Sequence, residues 1–220
     1  MRGLWIVGAL GVLAGCPTGD PVEPDGRPDG GPGNGGLTIR FTSDQLVPGE
    51  VADDRQLDEV RFRADSVRAI GDAAPGDART TRNDYDLRWH DSDTPEPIFF
   101  EAAPVGMYSS VEVRLEGSGG DDDAFEIDGQ ALVEAVWHDF EITGSDPLTI
   151  MIPTSTELAI GGTATIEIDV DLASIIAGIN FNELPQVEGL IEIDGDTTEM
   201  RTLVRNAFTA PDDGGGGADM

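Results

Sequence analysis

Apolar and polar side chains alternate along much of this chain, and this period of two is the feature that most restricts its fold. The longest example runs from residue 164 to residue 172, where apolar side chains occupy every second position and threonine, glutamate or aspartate the positions between. Shorter stretches with the same period are residues 37–41, 60–63, 85–89, 111–115, 125–128, 140–143 and 148–152. Because successive side chains of a strand point to opposite faces, each stretch predicts a β-strand with one buried face and one acidic, solvated face.

Short groups of glycine, proline, serine and aspartate separate these stretches. Examples are Pro48-Gly49, Asp93-Thr94-Pro95, Asp128-Gly129, Ser145-Asp146-Pro147 and Gly161-Gly162. Many short alternating strands with such turns between them are typical of two antiparallel sheets packed face to face. The sequence therefore predicts a mainly β fold, an antiparallel β-sandwich.

Two segments near the C-terminus depart from the period of two, so we expect one or two short helices there. Residues 172–179 predict a helix that continues from the longest strand and ends near Gly178. In residues 197–208 the apolar side chains recur at helical spacing, and Asp196 followed by Glu199 resembles a capping box, which predicts an amphipathic helix. One more strand is the alternative for this second segment.

The N-terminus carries one arginine and a short apolar run that ends at Leu13-Ala14-Gly15-Cys16. These four residues resemble the lipobox of bacterial lipoproteins. The resemblance implies that residues 1–15 are a signal peptide and that Cys16 carries three fatty acyl chains, palmitate among them, which anchor the protein to a membrane. In this family an aspartate after the cysteine commonly marks inner-membrane retention. Here Pro17 follows, which implies the outer membrane of a Gram-negative bacterium.

The alternative is an ordinary secretory cleavage site that leaves Cys16 as a free thiol. The apolar run is about ten residues long, well short of the roughly 20 that span a bilayer. Residues 16–36, rich in glycine, proline and aspartate, predict the lipidated cysteine and a flexible tether. Residues 37–210 predict a single β-sandwich domain, and residues 211–220 a disordered, glycine-rich tail.

The charge balance excludes some partners. The chain has 43 acidic and 13 basic residues, a formal net charge of -30, and every basic residue is an arginine. Such a field repels nucleic acid and anionic lipid headgroups, so we expect neither as a partner. The acidity has two interpretations that the sequence leaves open: divalent-cation binding, or a solvated surface suited to a saline habitat.

Residues 99–115 carry a second resemblance. Pro104-Val105-Gly106-Met107-Tyr108 leads into the alternating residues 111–115, an arrangement similar to that in an uncharacterised family of bacterial lipoprotein β-domains. The resemblance implies a transthyretin-like or immunoglobulin-like sandwich and no established activity. From the residues themselves we expect Gly106 to supply a turn and the Tyr108 hydroxyl to bond to nearby backbone.

The residues that could carry chemistry are few in kind. His90 and His138 each lie between a tryptophan and an aspartate, and if Trp89 and Trp137 are buried, both histidines face solvent. The chain has no Gly-x-Ser-x-Gly motif and no phosphate-binding loop, and its single cysteine excludes a thiolate metal cluster. The best ligand candidates are two groups of acidic residues that could hold calcium: Asp121, Asp122 and Asp123, and Asp194, Asp196 and Glu199. Solvated loops are the alternative for both groups.

These observations predict a lipid-anchored protein of the cell envelope, not an enzyme, whose β domain has a binding or structural role. We expect its partner to be an envelope protein or a polysaccharide, and we expect no cofactor other than calcium. One alternative is a calcium-stabilised adhesin-type domain. Another is an envelope hydrolase that uses acidic residues, which would need two carboxylates of raised pKa in a cleft.

Overall fold

The computed structural model describes residues 35–72, 78–91, 93–117 and 122–210. The predicted signal peptide, Cys16, the C-terminal tail and all of the predicted tether except Gly35 and Gly36 lie outside these residues. Within the described ranges the chain forms twelve strands, two α-helices and one 3₁₀ turn. The strands are β1 (Gly35–Thr42), β2 (Gly49–Ala52), β3 (Arg55–Gly71), β4 (Ala78–His90), β5 (Ile98–Ala103), β6 (Gly106–Leu115), β7 (Phe125–Val133), β8 (Val136–Gly144), β9 (Leu148–Leu158), β10 (Thr163–Val170), β11 (Leu190–Asp194) and β12 (Phe208–Thr209). The helices are α1 (Leu172–Ala177) and α2 (Thr198–Ala207), and the 3₁₀ turn is Phe181–Glu183.

The strands form two sheets, which confirms the prediction of a mainly β fold. The small sheet has the order β12-β10-β1-β5, and the large sheet, which curls into a half-barrel, has the order β11-β8-β7-β3-β6-β9. Strands β2 and β4 pair with β3 as well. The predicted strands all form, because each has an apolar face to bury.

The sequence predicted that all strand pairs are antiparallel, and this prediction was wrong for two pairs. In the small sheet β1 runs parallel to β10, and in the large sheet β11 runs parallel to β8. Parallel neighbours need long connections, and these partners are far apart in the sequence. Alternation shows which face of a strand is buried but carries no information about the direction of its neighbour, so the pattern could not reveal these pairs.

Strand β3 holds the large sheet together. Its first half, from Arg55 to Phe62, pairs with β7, and its second half, from Ala64 to Gly71, pairs with β6. The sheet therefore forks at Arg63, whose backbone bonds to Ala124 on one branch and to Glu116 on the other. The register of β3 shifts near residues 58 and 65. At these two places the buried positions are three residues apart instead of two, from Leu57 to Val60 and from Ala64 to Val67. The bulges therefore keep the apolar side chains of this long strand facing inward.

The core lies between the two sheets. Phe62 of β3 is fully buried, and its ring centroid is 5.2 Å from that of Phe208 of β12, which belongs to the small sheet. Trp89 and Phe125 contact Phe62 as well, with centroid distances of 6.1 and 6.3 Å. No polar or charged residue in the described part of the chain is fully buried. Burial of apolar area, at about 25 cal/mol per Å², is the main stabilising term for such a core.

Both predicted helices form, with one correction. Helix α1 ends at Gly178, as expected, and its N-cap is Asp171, whose carboxylate accepts a hydrogen bond from the Ser174 N–H. Helix α2 is not capped by Asp196 and Glu199. Its N-cap is Thr197, whose hydroxyl oxygen accepts from the N–H of Met200 at 3.3 Å.

The local expectations from the turn residues have mixed outcomes. Gly106 has a positive φ of 131°, and the hydroxyl of buried Tyr108 donates to the Pro104 carbonyl at 2.6 Å, both as predicted. The prediction of a turn at Asp128-Gly129 was wrong, because both residues lie inside β7. Gly129 is there for space: a Cβ atom would lie 2.1 Å from the carbonyl oxygen of Gln56 on β3.

Candidate functional site

The outer face of the large sheet carries a row of acidic side chains across four strands. Glu192 of β11 is directly opposite Glu141 of β8, which is opposite Asp128 of β7. Asp128 is in turn opposite Glu59 of β3, and Glu59 is opposite His90 of β4. Directly paired residues project on the same side of a sheet, with Cβ atoms about 4.5–5.5 Å apart. The strand register therefore aligns four carboxylates, which we call the acidic row.

The densest part of this face is a cluster that we call the acidic triad: Glu126, Asp128 and Glu141. Each offers one carboxylate oxygen within 4.8 Å of the other two. Burial raises the pKa of Asp128 to about 6, and the charges of neighbouring carboxylates, Glu126 and Glu141 foremost, act in the same direction. Above about pH 6 Asp128 therefore adds a negative charge to this cluster of carboxyl groups.

The triad resembles part of a cation site. Each carboxylate can give one or two oxygens, whereas calcium takes about six to eight at roughly 2.3–2.6 Å. Water would have to supply the remaining ligands. Asp58, at the first bulge of β3, also has a raised pKa, caused by partial burial and then by the charge of Asp139. Asp58 is exposed and the triad lies on the outer face of the sheet, a setting unlike the cleft that the hydrolase alternative needs.

The calcium candidates from the sequence are divided among different surroundings. Asp121 lies outside the described residues, and Asp122 forms an ion pair with Arg63 at 3.2 Å. The structure brings Asp123, Asp194 and Asp196 together around a concave region of about 480 Å³, which Glu141 also lines. Glu199 lines an adjoining groove of about 520 Å³, which Asp194 also lines.

Asp196 connects helix α2 to the turn between β8 and β9. Its carboxylate accepts hydrogen bonds from the N–H of Asp146 at 2.8 Å and from the hydroxyl and N–H of Ser145 at 2.8 and 3.2 Å. Partial burial acts to raise the pKa of Asp196, but these hydrogen bonds, together with the charge of Arg201, hold it below its ordinary value.

Further contacts strengthen this connection. Arg201 of α2 donates to the carbonyl oxygens of Asp146 and Pro147 at 3.0 and 2.7 Å. Asp194, the other aspartate of the group, accepts from the N–H of Asp196 at 2.8 Å. The carboxylates of both aspartates are thus engaged by donors within the chain, which gives them a structural role.

The two histidines lie in different surroundings, although both were expected to face solvent if the neighbouring tryptophans are buried. Trp89 is buried, and His90 faces outward with its ring nitrogens 3.0 Å from Asp91 and 3.6 Å from Glu59. Trp137, in contrast, is 40% exposed, so it is His138 that lies on the other, half-buried side of β8. The condition that Trp137 is buried is not met, because Trp137 lies on the same outer face of β8 as Asp139 and Glu141.

The triad residues lie in stretches that the sequence predicts as strands, but the sequence did not show that these strands are neighbours. The register that does so is set by a two-residue turn, Glu134-Ala135, in which both residues have positive φ, 50° and 68°. This conformation is the one that asparagine and glycine favour in tight hairpins, and neither is present here. The alternating residues on both sides of this turn were the available indication.

Comparison with protein-family models, with curated proteins and with solved structures found no match to this chain. Among the described residues, neither helix has the length and apolar character needed to cross a bilayer.

Proposed function

We propose that this protein is a lipid-anchored lipoprotein of the Gram-negative outer membrane, with a non-enzymatic β domain that binds an envelope component or has a structural role. The observation that carries the anchor is the lipobox-like ending Leu13-Ala14-Gly15-Cys16.

For the fold we propose a β-sandwich of the transthyretin-like or immunoglobulin-like kind. The contact between Phe62 and Phe208 supports face-to-face packing of the two sheets, and the parallel pairs are the departure from an all-antiparallel sandwich. Such a domain offers an outer sheet face and loops for recognition of a protein or a polysaccharide. Its acidic outer face favours a cationic partner and disfavours nucleic acid.

The anchor is tested by expressing the full-length chain in a Gram-negative host that is fed an alkyne analogue of palmitate. We expect the wild-type chain to be labelled and to sediment with outer membranes, and Cys16→Ser to be neither labelled nor sedimented. Wild-type protein that stays unlabelled and soluble would contradict the proposal. Sedimentation of Cys16→Ser with the membranes would also contradict it, since attachment would then not depend on the lipid.

A calcium-stabilised adhesin-type domain is the second candidate, and the close approach of three carboxylates in the acidic triad favours it. A thermal melt with millimolar calcium, compared with EDTA and with sodium chloride of matched ionic strength, tests it. Calcium at a hundredfold its dissociation constant should add about 2.7 kcal/mol of stability beyond matched salt. This gain should be lost when Glu126 and Glu141 are both changed to Gln. Equal effects of calcium and salt would eliminate this candidate.

A further inference from the structure

A groove of about 520 Å³ lies between helix α2, strand β11 and the segment that follows α1. We call it the C-terminal groove. Its size is within the roughly 300–1,000 Å³ of ordinary ligand pockets. Strand β11 is the last strand of the large sheet. It pairs with β8, and among the described residues its only further backbone partner is Val187, which bonds to Leu190 at the start of the strand. The groove is therefore bordered by a sheet edge that is available for pairing beyond Leu190.

Part of the groove lining is apolar. This area is formed by Ile179, Leu184, Ile193, Met200 and Leu203. Leu184, Ile193 and Leu203 are only half-buried, so a ligand in the groove would cover apolar area that now faces solvent. Leu203 reaches this position because Gly178 leaves room for it: a Cβ atom on Gly178 would lie 2.7 Å from a Leu203 methyl carbon.

Carboxylates surround this apolar area. Glu183 lies in the 3₁₀ turn, Glu192 and Asp194 lie on β11, and Glu199 lies in the first turn of α2. All four are exposed, and the residues that line the groove include no basic side chain. Asp194 is partly engaged by the N–H of Asp196, whereas the other three have no hydrogen bond or ion pair within the described residues. Charge complementarity thus calls for a cationic ligand with an apolar part.

Lysine and arginine side chains have this combination. Their aliphatic stems lie along apolar surfaces while their charged ends reach out to carboxylates. An extended peptide could also pair with the free edge of β11, a common mode of peptide recognition. A carbohydrate would match the carboxylates but not the apolar area, and an anionic lipid would be repelled.

We propose that the C-terminal groove is a docking site for an extended segment of a partner protein in which lysine or arginine side chains alternate with apolar ones. This inference gives the binding module proposed above the chemistry of its partner and rests on that proposal, but it does not depend on the lipid anchor. Failure to acylate Cys16 would leave the groove unaffected, and failure of the groove to bind would leave the anchor unaffected.

The test measures fluorescence anisotropy of a synthetic hexapeptide of alternating lysine and leucine, labelled with a neutral dye, on the full-length Cys16→Ser chain at about 0.15 M salt. We expect Glu183→Gln combined with Glu199→Gln to weaken binding about fivefold. The matched control combines Glu126→Gln with Glu141→Gln, which removes the same number of charges from the acidic triad. We expect it to weaken binding by less than about twofold.

Contact with the apolar area is tested by a second peptide in which glycine replaces leucine. It should bind at least about tenfold more weakly, because it leaves the area exposed to water. This comparison uses the wild-type groove, so it does not depend on the folding of a variant. The proposal is overturned if both double variants weaken binding equally, since the attraction would then be that of the whole acidic surface. Equal affinity for the two peptides, or no binding at millimolar peptide, would overturn it as well.

Discussion

The outer face of the large sheet has two halves that differ in how their charges are arranged. On β3, β4 and β6, arginines pair with acids: Arg61 with Asp86, Arg68 with Glu112, Arg88 with Glu59, and Arg114 with Glu116. On β7, β8 and β11 there is no arginine, and the acidic triad has no ion-pair partner within the described residues. Buried and solvated positions alternate in both halves, although bulges interrupt the alternation on β3. The halves also differ in which side chains occupy the solvated positions, where the fold places few constraints.

The comparison shows where fold stability and surface chemistry separate. Like charges directly opposite on neighbouring strands are destabilising, and opposite charges are stabilising, by about 0.2–1 kcal/mol per pair. In the arginine half Arg68 is directly opposite Glu112 and follows the second rule, whereas the other pairs are diagonal or within one chain segment. The acidic half follows the first rule. We interpret the acidic half as the one whose surface is kept for something other than stability.

The largest effect is expected at Asp196. This residue lies beside the acidic half, and its carboxylate, unlike those of the acidic triad, accepts hydrogen bonds from Ser145 and Asp146. Asp196→Ala should lower the free energy of unfolding at pH 7 by about 2 kcal/mol, because it removes hydrogen bonds to a charged acceptor. Since the folded-state pKa of Asp196 is lowered, this contribution is present above the ordinary pKa of aspartate and is lost as the pH falls through the folded-state value. Urea denaturation at pH 7 and pH 3 checks both points. A loss that is the same at both pH values would contradict the charged-acceptor explanation, and Asp196→Asn should keep part of the stability.

An arginine placed in the acidic half should remove the difference between the halves. Glu141→Arg would replace repulsion from Asp128 and Glu192 with attraction, a gain of about 1.5 kcal/mol over the two cross-strand pairs. The matched control is Glu101→Arg, which makes the same change of net charge at an exposed position on β5. Denaturant midpoints in low salt give the comparison. Equal stabilisation by both variants would show that net charge, and not the acidic row, is responsible.

A smaller, pH-dependent gain is expected from Asp128→Asn. The folded chain holds the Asp128 proton up to about pH 6, whereas an ordinary aspartate loses it near 3.8, so wild-type stability falls as the pH rises between these values. The variant should therefore be about 1 kcal/mol more stable than wild type at pH 7.5 and equal to it below pH 4. Thermal melts at the two pH values measure this. A gain that persists at low pH would mean that removal of the charge is not the cause.

The smallest effect concerns the arginine half. Arg68→Ala should cost about 0.5 kcal/mol, because the Arg68–Glu112 pair, at 2.8 Å, is partly exposed. The effect should be largely lost in 1 M salt, where charges are screened beyond about 3 Å. Arg40→Ala is the control, since the Arg40–Glu167 pair is longer, at 3.8 Å, and half-exposed on both sides. A large, salt-independent loss at Arg68 would show that packing of its aliphatic stem, and not its charge, stabilises the fold.

Much of the fold could be predicted because alternation reports burial directly. The strand at residues 37–41, the amphipathic helix near residues 197–208 and most of the strand predicted at residues 164–172 follow from which positions are apolar. This last strand ends at Val170, because Leu172 begins α1. The partners of these strands could not be predicted, because pairing depends on chain direction and on contacts between distant residues. The Glu134-Ala135 turn is one example: without glycine or asparagine there, only the alternating residues on its two sides indicate the hairpin that aligns Asp128 with Glu141.

The site was less predictable than the fold for a related reason. In a chain with 43 acidic residues, neighbours in the sequence such as Asp122 and Asp123 attract notice first. The acidic triad comes instead from two strands, and the sheet register sets the spacing of its members. The C-terminal groove combines residues from β11, α2 and the segment after α1, so it exists only once the chain has folded.

The fork of the large sheet has a consequence for how the domain opens. Strand β3 has neighbours on both sides along most of its length, with β7 and β6 on one side and β2 and β4 on the other. Strands β11 and β9, at the two ends of the sheet, can fray while the rest stays intact. Each backbone amide of β3 can exchange with solvent only when the inner strand that it bonds to separates, which requires more of the sheet to open than fraying at its ends does. Its slowest amides around Arg63 should therefore report global unfolding, whereas those at the β11 edge report only the local opening of the C-terminal groove.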